Sequence, residues 1–315
     1  MRRDVLVAVA AGVLGALLLV AAWRGSLVGV FAGLLLSPLP LAMTALGLGL
    51  TYLPLAIVSG AVTVAVMTGS FGLAAVYLVV DAAPVAILTR IGLAAQATRP
   101  LEGRVIGLTL IALTFAAVTL MVTGLAAFPA GPDGIEASLR EQLVKLLAEV
   151  QAAGGPGRPQ VPEAIVTAMA RLFPGAAGWN WCFRALLCAG LGQSLLARDG
   201  FARWPTPAYR TLAVPGWYIG AFWAAAFAGW LTPGDVGFVA ANTAAVLSLP
   251  LVLQGLAVVH CAAARAGFGR GVLFAFYTVA LVAAGAALAL IVILGVMDHF
   301  LQLRARLLAT RTGGQ

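Results

Sequence analysis

Residues 5–22 read VLVAVAAGVLGALLLVAA, eighteen consecutive positions without a charge or a strongly polar group. As a helix this run is about 27 Å long at 1.5 Å per residue, close to the ~30 Å hydrocarbon thickness of a bilayer. It stops at Trp23-Arg24, an aromatic beside a charge, the pair expected where a span meets the headgroups. Met1-Arg2-Arg3-Asp4 before it imitates a secretory leader, but another apolar stretch follows instead of a polar domain. The run is therefore read as an uncleaved first span.

The rest of the chain repeats this texture. Of 315 residues, 62% are hydrophobic and 10% charged, where a soluble domain is about half apolar and a quarter charged. No single soluble core hides that much apolar surface, so a soluble enzyme, a disordered tail and a disulfide scaffold are all excluded. Eight further apolar segments are expected at about 27–46, 53–67, 73–88, 105–127, 181–196, 212–231, 236–261 and 272–297. The second is interrupted by Ser37-Pro38-Leu39-Pro40, and the eighth carries Pro250. The expected fold is all-α, a polytopic transmembrane helical bundle of eight or nine spans with an extramembrane pair of amphipathic helices. Four segments are expected: a transmembrane bundle at 1–127, the polar insertion at 128–178, a second bundle at 179–297 and a basic tail at 298–315.

The net charge of +8 comes from 19 basic against 11 acidic residues, and only Lys145 is not Arg. In a soluble protein this excess would suggest nucleic acid. Here the Arg residues stand singly in short loops, without a basic block interleaved with aromatics, so nucleic acid is excluded as a partner. Arg instead marks the cytoplasmic side. With the N-terminus inside, the loops holding Arg90, Arg99 and Arg104, then Arg198, Arg203 and Arg210, then Arg265 and Arg270, all fall in the cytoplasm of a bacterial inner membrane. The acid-leaning insertion falls outside. Nine crossings would put the tail with Arg304, Arg306 and Arg311 outside too, against the rule. This leaves eight or nine spans open, with the Pro-broken second segment the suspect.

In the insertion, Asp133-Gly134-Ile135-Glu136 has capping-box spacing, and Ile135, Leu139, Leu143, Leu146, Leu147 and Val150 recur at helical period. Glu136 to Arg140 and Glu141 to Lys145 are i,i+4 pairs in the favourable order. After the breaker Gly154-Gly155-Pro156-Gly157-Arg158-Pro159, a second short helix is expected from Pro162 to Phe173. The pair reads either as a plain connector or as a gate over a binding cavity.

Few residues in the apolar runs carry chemistry. Asp81 lies mid-span, three residues before Pro84, where a charge costs several kcal/mol unless protonated, paired or wet. It is read either as a protonated acid bonded to backbone freed by Pro84 or as part of an ion or substrate pathway. Asn242 and Gln254 in the eighth segment are read as sharing one inward face, either as interhelical glue or as a polar lining. Ala8, Gly12 and Ala16 form a small-residue face on the first span, for packing inside the bundle or against a partner. Cys182, Cys188 and Cys261 have no ligand spacing, so no metal site, disulfide or cofactor is implied. Asp298-His299 is a weak signal on its own. No P-loop, HExxH, GxSxG or paired-carboxylate pattern is present, and no catalytic residue is assigned.

Four stretches carry a resemblance. They are Ser37-Pro38-Leu39-Pro40-Leu41, Phe173-Pro174-Gly175, Leu249-Pro250-x-x-x-Gln254-Gly255-Leu256-Ala257, and Leu294-Gly295-Val296-Met297-Asp298-His299-Phe300-x-x-x-Arg304. In these the chain resembles the YybS-like family of predicted bacterial multi-pass membrane proteins, a domain of unknown function. It is also distantly similar to the substrate-binding components of energy-coupling-factor transporters. That similarity implies a first span whose small residues, here Ala8, Gly12 and Ala16, meet a coupling subunit, although those components have six spans. The expected function is a small-molecule transporter or its substrate-binding component. The alternative is a non-transporting scaffold or regulatory partner of an envelope complex. The lipid bilayer, and a coupling or envelope-complex subunit, are the expected partners.

Overall fold

The computed structural model describes residues 2–23, 33–98, 103–153, 161–267 and 269–309. Arg24, the start of the second segment, Arg99, the Gly154–Pro159 breaker and Arg311 lie outside them. The described residues are helical, with no β-strand among them, only an isolated bridge between Gly131 and Gly134. The helices are α1 (Arg2–Trp23), α2 (Leu39–Met43), α3 (Leu53–Thr68), α4 (Phe71–Tyr77), α5 (Ala83–Thr98), α6 (Gly103–Ala126) and α7 (Ile135–Ala153). They continue with α8 (Glu163–Arg198), α9 (Gly216–Leu231), α10 (Gly234–Arg265), α11 (Arg270–Val282), α12 (Ala284–Leu301) and α13 (Leu303–Ala309). Two π-helical turns, Thr44–Leu48 and Leu78–Ala82, follow α2 and α4.

Among the described residues, four helices are long and apolar enough to cross a membrane: Arg2–Ala22, Phe71–Ala94, Gly103–Ala126 and Gly234–Arg265. The apolar helices Gly33–Leu48 and Leu53–Thr68 are shorter. Large apolar side chains stand outward, with Phe71 87%, Trp230 79% and Leu281 80% exposed. A soluble monomer does not present such a surface, and a bilayer covers it at no hydrophobic cost.

Two expectations change. The second amphipathic helix is not separate: α8 runs unbroken for 36 residues through Pro174 and takes in the expected sixth segment. The ninth segment is not one helix, because α11 and α12 meet at Ala283 with a bend of 119°. The first amphipathic helix forms as expected, but its cap comes from elsewhere. The Ile135 N–H donates to Asp235 Oδ1 at 2.8 Å, so an acid in the first turn of α10 satisfies the α7 terminus.

The chain forms two compact units. One comprises residues 1–113 and 181–212, the other 114–180 and 213–315, with boundaries inside α6, inside α8 and in the loop between α8 and α9. In the first unit α1 packs on α3 through small residues. Ala8, Ala16 and Ala56 are fully buried, and a Cβ on Gly12 would overlap Ala56 O and Ser59 Oγ. Ser59 Oγ also donates to Val9 O at 3.2 Å. In the second unit α10 supplies the core with Val246, Leu247, Leu249 and Leu251 and packs on α9 and α12.

Candidate functional site

Pro84 shapes the ground under Asp81. It offers no N–H, and the turn before it widens. The Ala83 N–H reaches back five residues to Leu78 O rather than four to Val79 O. Val79 O is taken instead by the indole of Trp181, whose Nε1 donates to it at 2.8 Å. One turn further along α8, Arg184 Nη2 donates to Asp81 Oδ1 at 2.7 Å and to Ser37 Oγ at 2.8 Å. Trp181 and Arg184 are three residues apart on one helical face, and together they clamp the π-turn.

The resulting ion pair is sealed. The Asp81 and Arg184 side chains are 0% and 5% exposed. The pair is nevertheless incomplete: among the described residues, Asp81 Oδ2, Arg184 Nε and the hydroxyl of Tyr77, one turn before Asp81, have no hydrogen-bond partner. Buried polar groups are almost always satisfied, so three orphans around one pair are unusual. Tyr77 is fully buried against Gly60, where a Cβ would overlap its hydroxyl. Asp81 is thus a paired acid, not one bonded to the backbone freed by Pro84. Its partner Arg184 was not singled out from the sequence. The signal was a lone Arg inside the apolar run Trp181-Cys182-Phe183-Arg184-Ala185-Leu186-Leu187.

Asn242 and Gln254 lie in the second unit, and each bonds main-chain groups of other segments. Asn242 Oδ1 accepts from Gly175 N at 2.7 Å, and its Nδ2 donates to Arg171 O at 3.2 Å and to Phe238 O at 2.9 Å. Arg171 O and Gly175 N are the groups an unbroken helix pairs with each other. The primary amide, a copy of a peptide bond, therefore bridges them beside Pro174. Gln254 Oε1 accepts from Val214 N at 2.9 Å, and its Nε2 donates to Gly295 O at 2.9 Å and Asp298 Oδ2 at 3.3 Å. Asp298 in turn accepts from Arg304 N at 3.0 Å and Arg304 Nε at 2.8 Å, while His299 Nδ1 donates to Val214 O at 3.1 Å.

The two amides do not share a face. Twelve residues at 100° each leave them about 120° apart, and Asn242 meets α8 where Gln254 meets α12. The separate motifs around Gln254-Gly255 and Gly295-x-x-Asp298 do meet. A Cβ on Gly255 would overlap Ile291 O, and one on Gly295 would overlap Leu251 O. Gly12 lies in the α1–α3 contact described above, and Ala8 and Ala16 are fully buried within the chain. Among the described residues no group of three or more His, Cys, Asp or Glu side chains could hold one metal ion.

These features define an all-helical membrane protein with a buried charge pair in one unit and two buried amides bonded to main chain in the other. The chain belongs to the family described as predicted membrane protein (DUF2232), whose model matches residues 13–299. That stretch contains Asp81, Arg184, Asn242, Gln254, Asp298 and His299. No curated protein and no solved structure matches the chain.

Proposed function

We propose that this protein handles a small polar solute at the membrane, as a transporter or as the substrate-binding component of one, with Asp81 and Arg184 at its polar centre. One observation carries the reading: a sealed ion pair with polar capacity left over on Asp81 Oδ2, Arg184 Nε and Tyr77 OH. Intramembrane acids and bases are expensive and mark substrate or ion pathways. A π-turn beneath one partner is a common device at functional sites. The proposed setting is a bacterial inner membrane with the N-terminus in the cytoplasm. The polytopic bundle then crosses eight times up to the end of α10, as the Arg distribution requires.

Native mass spectrometry of gently extracted protein tests this. Wild type is expected to carry a small-molecule adduct that the stability-matched double variant Asp81→Asn/Arg184→Gln lacks, and vesicles loaded with wild type are expected to take that compound up. Co-purification of an ATPase-containing subunit assigns the component role, and uptake without one assigns the transporter role. No adduct and no uptake overturns both. The full engagement of Asn242 and Gln254 in internal bonds favours a second reading, a non-transporting scaffold or regulatory partner of an envelope complex. That reading expects a stable envelope-protein partner and no solute.

A further inference from the structure

The basic tail is the part of the chain that breaks the charge rule, and the second unit supplies a depth scale for it. Asp235, in the first turn of α10, holds the N-terminus of α7, a helix bearing Glu136, Arg140, Glu141 and Lys145. That end of α10 therefore lies in water or headgroups. Thirty residues separate Asp235 from Arg265, about 45 Å of helix. Even tilted by 40° this rises about 34 Å, more than the ~30 Å hydrocarbon core. Arg265 thus lies beyond the core on the opposite side.

Arg265 Nη1 donates to Leu307 O at 2.9 Å, and α13 packs along α10. Leu307 is therefore within one arginine side chain of Arg265, on the same side of the bilayer. Between them run α11 and α12, two apolar helices bent by 119° at Ala283. We propose that α11 and α12 form a re-entrant hairpin that enters and leaves the bilayer on the Arg265 side, so that residues 270–301 make no net crossing.

The local chemistry suits this path. Two bonds span the bend, Ala283 N donating to Val279 O at 2.9 Å and Ala286 N to Ala283 O at 2.9 Å, which lowers the cost of placing it in lipid. Gly255 and Gly295 let α10 and α12 cross backbone to backbone. Gln302, in the left-handed conformation at φ 50°, turns the chain back, and Asp298 holds both the N–H and the guanidinium of Arg304. With the hairpin re-entrant, Arg304 and Arg306 join Arg265 on one side, and the conflict with the positive-inside rule disappears.

Single cysteines placed at Glu141, Ala266 and Ala305 test the path in the full-length protein, whose own three cysteines are buried. A membrane-impermeant maleimide is applied to right-side-out and inverted vesicles. Ala266→Cys and Ala305→Cys are expected to label from one side and Glu141→Cys from the other. Labelling of Ala305→Cys together with Glu141→Cys overturns the hairpin, and so does labelling of Glu141→Cys with Ala266→Cys. A fluorescent-protein or alkaline-phosphatase fusion after Gln315, compared with one at Ala266, gives the same answer without new cysteines. Neither experiment depends on a solute, so the topology and the transport reading fail separately.

Discussion

Arg184 and Asp81 carry opposite charges where either alone would be costly to hold. Removing one partner of a buried pair typically costs ~3–5 kcal/mol, whereas replacing both by neutral groups of similar shape is often close to neutral. Arg184→Gln is therefore expected to lower the thermal midpoint in detergent sharply, and Asp81→Asn/Arg184→Gln to recover much of the loss. If the double variant is as unstable as the two singles summed, the pair is not coupled as its geometry implies. At Asn242 the stakes are the two backbone groups beside Pro174. Asn242→Leu should leave Gly175 N and Arg171 O unsatisfied, at ~1–3 kcal/mol for each buried group, and hydrogen exchange at Gly175 should quicken. The sequence marked Asp81, Asn242 and Gln254 because polar groups stand out in apolar runs. It could not say that both amides bond main chain of other segments, Asn242 beside Pro174, since that needs the partner segments. Arg184 escaped notice for a simpler reason: its neighbours average to an apolar segment.

Helices here end and bend where the backbone loses a donor or gains a close neighbour. The spans at α1, α6 and α10 were legible because long apolar runs bounded by charge have one reading in a bilayer. The continuity of α8 through Pro174 was not, because the proline looks like a stop until Asn242 is placed beside it. Nor was the cap of α7 legible, since Asp235 lies 100 residues away from Ile135. Glycine contacts give the sharpest check at this scale. Gly295→Ala would drive a methyl into Leu251 O, and both partners are main chain, so the α10–α12 crossing must open. Gly220, inside α9, has nothing within 4 Å, and Gly220→Ala should be neutral or stabilising by up to ~1 kcal/mol. A thermal-shift comparison of the two is expected to show a large loss against no loss. Asp235→Ala should cost about 0.5–1 kcal/mol as a lost cap, seen as faster proteolysis in the first turn of α7.

On the scale of the whole molecule, the positive-inside rule and the proposed hairpin lead to one expectation about sidedness. The proposed topology expects the Arg-bearing loops and the tail in the cytoplasm and α7 outside. The chain contains a convenient reporter of this arrangement, because Lys145 is its only lysine, and that side chain is 68% exposed on α7. Its ion pair with Glu141 is a surface pair worth little and does not block the amine. A membrane-impermeant amine-reactive ester should therefore modify Lys145 in intact, right-side-out vesicles and leave it untouched in sealed inverted ones, read by peptide mass mapping. Trypsin should show the opposite preference at Arg203 and Arg210, in the loop between α8 and α9. Modification of Lys145 from the inner face alone would invert the topology and remove the support that the positive-inside rule gives it. Modification from neither face would place α7 against the bilayer or beneath a partner rather than free in the outer space.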